Sequence, residues 1–353
     1  MKALATIFAG ALVLAACSQA PESASTGSDT AAEETTRVVN VYSSRHYASD
    51  RAIYAAFTEE TGIEVNLIEA GGDQLIERVR ADGERSPADV LITVDAARLY
   101  RADEAGLFAP TDFASMVPGI AEHLIHPDGH WVSLAKRARV IAYARDRVDP
   151  STISNYEDLT APEWEGRICI RSSGNVYNQS LLAAIIERSG EEAAEAWATG
   201  INANMARAPQ GGDTDQLRGI AAGECDVAIV NQYYYGSLAR SDDAANNAVA
   251  EAVGLIFPNQ EMGGTHVNVS GAGVAVNAPH PEEAQQLIAF FLGEFGQRAF
   301  AELTNEFPVI EGSEYDNPVL EAMLPFVEDD VDMGVLGENN ATAQRVFDRV
   351  GWP

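Results

Sequence analysis

Apolar positions along residues 38–94 switch between two rhythms. Residues 38–44 form a short β-favouring run, after which Ile53, Tyr54 and Phe57 recur at helical spacing until Thr61-Gly62 stops them. Residues 63–68 predict a second strand. Leu75, Ile76 and Val79 lay one apolar face on a helix over 73–81, and the nearly unbroken apolar run 89–94 predicts a buried strand. This β-α-β-α-β order marks a parallel sheet wrapped by helices, an α/β fold. A helix over 98–105 follows and ends at Gly106.

The turn His126-Pro127-Asp128-Gly129 leads into a β-rich run, 131–144, read as a strand crossing between two lobes. Further strands are predicted at 167–170, 226–231, 254–258 and 271–276, with helices at 179–188, 191–201, 214–222, 281–292, 296–303 and 340–350. Chain order groups 37–136 with 271–353 as the first lobe and 137–270 as the second. Ligands in open α/β sheets bind beyond the carboxyl ends of strands, and hinge closure buries them. Functional side chains are therefore sought just after strands.

The amino-terminal stretch changes where such a protein works. Lys2 precedes an apolar run over 3–16, too short to span a bilayer, so residues 1–16 read as a signal peptide. Its end, Leu14-Ala15-Ala16-Cys17, resembles the lipobox of bacterial lipoproteins, which implies acylation of Cys17 and a lipid anchor in the membrane. Up to Thr36 there is no aromatic or long aliphatic side chain to offset ordering entropy, so 17–36 read as a flexible tether. The formal net charge of −30, from 23 basic and 53 acidic residues, argues against nucleic acid and anionic membrane surfaces as partners. Apart from Cys17 only Cys169 and Cys225 remain, and an isolated pair in an oxidising compartment reads as a structural disulfide.

Three features follow predicted strands: His46-Tyr47, Tyr177, and the run Tyr233-Tyr234-Tyr235. A single tyrosine is ordinarily a packed aromatic with a hydrogen-bonded hydroxyl. Four from two lobes, all in post-strand positions, suit a hard, highly charged cation such as Fe(III), which displaces the phenol proton although its ordinary pKa is about 10. Softer divalent metals would call for Cys or several His.

The stretches VNVYSSRHY, SPADVLITVDAARLYRADEAGLF, RSSGNVYNQSLLAAII and PQGGDTDQLRGIAAGECDVAIVNQYYY resemble the ferric-iron-binding proteins of bacterial iron ABC importers. That family is a transferrin-like branch of the type II periplasmic binding proteins. The resemblance implies a two-lobe binding protein without catalysis, a monomer that carries Fe(III) to an ABC permease. It places the ligands on Tyr47, Tyr177, Tyr233 and Tyr234, with His46 beside them, and makes Tyr235 packing. Three or four phenolates need nearby positive charge, for which Arg137, Arg139 and Arg98 are the candidates. Glu69 and Asp73 fall where some relatives add a carboxylate, but the Tyr177 motif marks the branch that does without it.

Other classes fit less well. No G-x-S-x-G elbow, H-E-x-x-H or phosphate-binding glycine loop is present. An oxyanion-binding protein of the same fold would use Ser43, Ser44, Ser172 and Ser173 and leave the tyrosines unexplained. His123, His126 and His130 have suggestive spacing, but Pro127 and Gly129 break any helix that would align them, so a solvated turn is expected. His266 is expected to order backbone near the hinge, and His280 to start a helix.

Overall fold

The structure, a computed structural model, describes residues 37–45 and 47–353. The leader, the tether, Cys17 and His46 lie outside the described residues. Among those described, nine strands form a continuous curled sheet: β1 (Val38–Ser43), β2 (Glu64–Glu69), β3 (Val90–Val94), β4 (Val132–Ala144), β5 (Ile168–Cys169), β6 (Val227–Asn231), β7 (Val253–Ile256), β8 (Val267–Val274) and β9 (Phe307–Pro308). Their order is β2-β1-β3-β8-β4-β6-β5, with β7 and β9 also on β4.

The first three strands are parallel, β1 lying between β2 and β3, as the alternating pattern predicts. Between β1 and β2, the helix Ala48–Thr61 stops at Gly62, whose φ of 71° is the left-handed conformation glycine adopts without a Cβ penalty. Its buried Tyr54 and Phe57 meet Phe291 and Phe290 edge-on at 5.8 and 5.5 Å. Burying such a ring stabilises by about 1.5–3 kcal/mol.

Strand β4 makes the fold two-lobed. Its Val132–Ala138 half pairs with β8, which in turn pairs with β3, while from Arg139 to Tyr143 it pairs with β6. One strand thus belongs to both halves of the sheet, and Arg137 and Arg139 sit where it changes partners. In the second half, Cys169 of β5 and Cys225, just ahead of β6, are joined by a disulfide across 56 residues of chain. Loop-closure entropy for that length corresponds to about 4 kcal/mol.

Chain order groups all of 271–353 with the first lobe, but the last helix, Asn340–Val350, packs instead on the helices Val176–Ser189 and Glu191–Ala203 of the second. The cause is an aromatic seam: Trp352, buried, stacks on Trp197 at 6.1 Å and meets Phe347 at 4.9 Å. Arg349 adds ion pairs to Glu191 and Glu195. No described helix is long and apolar enough to cross a membrane.

Candidate metal centre

Three helix starts converge on the candidate site. After β1 the chain turns through Ser44 and Arg45, and Tyr47 becomes the N-cap residue of the helix Ala48–Thr61. Ser44 fixes this turn: its backbone N–H donates to Ile92 O at 2.9 Å and its hydroxyl accepts from Val94 N–H at 3.0 Å. Tyr177 is the second residue of the helix Val176–Ser189, which Asn175 caps by accepting from Asn178 N–H. Tyr233 and Tyr234 are the second and third residues of the helix Gln232–Ala239, which begins straight after β6. Unpaired N–H groups make each helix start partially positive, an environment that favours anionic oxygen.

The hydroxyls meet. Tyr47 donates to the Tyr233 oxygen at 3.1 Å, and the Tyr177 and Tyr233 oxygens are 3.3 Å apart. Tyr234 stacks on Tyr233 with ring centres 4.2 Å apart. A small cation with oxygen bonds of about 2.0–2.1 Å in octahedral geometry holds neighbouring oxygens roughly 2.9 Å apart, so the cluster needs little rearrangement to close on one. Beside it lies a cavity of about 440 Å³ lined by Tyr47, Tyr177, Tyr234, Glu69 and Arg98.

Unaided, Tyr47, Tyr233 and Tyr234 hold their protons. Burial, then the neighbouring Tyr177 and Glu306, push Tyr47 up to about 12. Burial also raises Tyr233 and Tyr234 strongly, followed by the other tyrosines of the cluster. The counterweight is positive charge: the guanidinium carbons of Arg137, Arg139 and Arg171 lie 5.5, 5.7 and 5.5 Å from the Tyr177 ring centre. Arg137 is buried, and among the described residues its Nε and Nη2 have no hydrogen-bond partner. Burial works against its charge, but Tyr177, Asp95 and Tyr233 outweigh that and raise its pKa.

The three arginines named from sequence have different surroundings. Arg137 is a buried cation with unused donors beside the phenols. Arg139 is engaged, pairing with Asp213 at 2.6 Å and donating to Asn178 at 2.8 Å. Arg98 lines the cavity but is paired with Asp73 at 3.2 Å. Glu69 is held by Arg51 at 2.6 Å, and Asp73 by Arg98 and Arg101. Tyr235 packs half-buried against the core. The serines do not form an anion cradle: Ser43 exchanges hydrogen bonds with the Arg45 backbone, and Ser172 is exposed. His266 contacts Asp329 at 3.1 Å and His280 contacts Asp89 at 3.0 Å.

Sequence reading missed Arg45, although it lies in the motif SSRHY. Buried, it pairs with Asp50 at 2.9 Å and Glu306 at 2.8 Å and lies 5.5 Å from the Tyr47 ring centre. Ser270 of β8 accepts from both Arg45 and Arg137, at 2.9 and 3.0 Å, linking the two cations. Asp95, at the end of β3, was also missed. Its φ of 91° is a strained conformation for a residue with a side chain, and its carboxylate accepts from Ser180 at 2.6 Å and Asn268 at 3.0 Å.

A two-lobe α/β protein with a donor cluster in its cleft defines the class of extracytoplasmic solute-binding proteins. Residues 85–330 match the family of bacterial extracellular solute-binding proteins, and the chain belongs to that family. Iron uptake protein A1 of Synechocystis sp. is 45% identical over 347 residues, covering 98% of this chain and 95% of the relative. Iron- and citrate-bound FutA (IdiA) from Trichodesmium has 47% identity and a TM-score of 0.85, with 90% of this chain and 100% of that one covered. A ferric binding protein from Campylobacter jejuni gives the same TM-score at 37% identity, covering 89% of this chain and 100% of that one.

Proposed function

We propose that this chain captures Fe(III) as its cargo on the phenolates of Tyr47, Tyr177, Tyr233 and Tyr234 and delivers it to an ABC permease, without catalytic turnover. The observation that carries this reading is the meeting of phenol oxygens from three separate segments among helix N-termini and guanidinium groups. Hard anionic oxygens beside positive charge suit a small trivalent cation better than a softer divalent one. Relatives named for iron uptake and ferric binding support it. Tyr177, Tyr233 and Tyr234, on the second lobe, take the ion first, and Tyr47 of the first lobe closes over it. Arg137 supplies the charge that lets the phenols ionise. His46 stands next in sequence to Tyr47 and is a further candidate ligand. A lipid anchor at Cys17 would hold the monomer near its permease, and Cys17→Ser should release it from the membrane fraction.

The test is retention of iron. Wild-type apoprotein mixed with ferric citrate and desalted should keep one iron per chain, and Tyr233→Phe/Tyr234→Phe should keep none. Equal retention by both proteins would end the assignment.

A further inference from the structure

The turn read from sequence as merely solvated brings two imidazoles onto one carboxylate. His126 N–H donates to Trp131 O and Gly129 N–H to His126 O, which folds residues 126–131 into a tight hairpin. Gly129, with φ 71°, sits so close to Thr111 that a Cβ would lie 2.4 Å from its carbonyl oxygen, so the turn requires glycine. The two rings face each other, 8° from parallel with centres 4.9 Å apart. His126 Nε2 lies 3.2 Å from one oxygen of Asp103, and His130 Nδ1 lies 2.5 Å from the other. Asp103 is in the last turn of the helix Ala96–Glu104, the partially negative end, where a cation is favoured. The exposed His123 is not part of the group.

We propose that Asp103, His126 and His130 form a second metal site, selective for a borderline divalent cation such as Zn(II). One donor atom from each residue falls within 4.8 Å of the others, and the side chains are part-exposed, at 16, 19 and 26%. Two imidazoles and a carboxylate match the donor preference of Zn(II), and the open side admits water as the remaining ligand. A structural pairing of helix and turn would need only one of the histidines. Stacking both on one carboxylate instead brings one nitrogen of each ring and a carboxylate oxygen within 4.8 Å of one another. Loading requires each imidazole to move its proton to the other ring nitrogen. For His126 that means giving up the contact in which Nδ1 accepts from Asp128 N–H at 3.2 Å. No proton need leave the protein if both rings start neutral.

Zn(II) titration with competition from a chromophoric chelator tests this directly, using apoprotein that carries Tyr233→Phe and Tyr234→Phe so that the phenol cluster cannot take the metal. One zinc per chain is expected. His126→Ala/His130→Ala should abolish it, and Asp103→Asn, which keeps the shape but removes the charge and turns one of the two acceptor oxygens into a donor, should weaken it at least about tenfold. Zinc should also raise the melting temperature of the tyrosine variant and leave that of the added histidine variant unchanged. Absence of a zinc equivalent in the tyrosine variant, or an unchanged zinc affinity after Asp103→Asn, would overturn the proposal. Neither result bears on iron binding.

Discussion

The tyrosine cluster and the Asp103–His126–His130 cluster assemble metal donors from chain segments by opposite means. The tyrosines stand at helix starts, largely withdrawn from water, with cations around them; the histidines stand on a part-exposed hairpin at the negative end of a helix. In the first, on the proposed reading, nearby positive charge would make neutral phenols into ligands. In the second, neutral imidazoles need no such help, and the carboxylate already carries the charge. Donor type and surrounding charge together, not mere proximity, decide which metal each place suits.

The widest separation between the two is expected from Tyr233→Phe/Tyr234→Phe. If four donors share a binding free energy of about 10–16 kcal/mol, losing two should weaken Fe(III) binding on the order of ten-thousandfold or more. Zinc at the hairpin should not change, and parallel titrations of the two metals check both.

Acidity should separate them next. Each phenol proton displaced by iron makes its affinity rise about tenfold per pH unit, a slope measurable with competing chelators between pH 6 and 8. In the apoprotein the same raised pKa acts on stability. Tyr47, at about 12 in the folded chain against about 10 unfolded, holds its proton more tightly when folded. Its contribution is present below pH about 10 and is lost as pH rises toward 12. Urea unfolding of apoprotein should therefore show stability falling from pH 10 upward.

Smaller effects sharpen the account within the tyrosine site. Arg137→Met should weaken iron binding about tenfold by removing a counter-charge from the phenolates. Arg139→Met should act mainly on folding, costing about 3 kcal/mol or less, because Asp213 loses its 2.6 Å partner and keeps Arg171 at 3.4 Å. Denaturant melts and iron titrations of both variants distinguish the roles. Least of all, Asp103→Asn should leave iron affinity within about twofold, because Asp103 bonds the hairpin imidazoles and not the phenols.

Much of this was legible in the chain. Periodicity located the parallel β-α-β start, and the rule that ligands gather after strands picked out Tyr47, Tyr177 and the Tyr233 run. The helix Gln232–Ala239 was not legible because Tyr-Tyr-Tyr-Gly offers no apolar stripe, and its hydrogen bonds depend on docking beside β6 and β4. The Tyr177 helix starts at Val176, three residues before its pattern suggests, because the Asn175 cap carries the signal there. Arg45 was invisible as a partner of Glu306, which lies 261 residues away. The hairpin histidines were set aside because Pro127 and Gly129 exclude a helix, yet that same turn is what stacks them.

The central claim, that phenolates hold the iron, has a direct optical test. Ferric citrate added to wild-type apoprotein should develop a visible phenolate-to-iron charge-transfer band that saturates at one iron per chain and disappears in Tyr233→Phe/Tyr234→Phe. A colourless wild-type complex, or a band of undiminished intensity in the double variant, would contradict it.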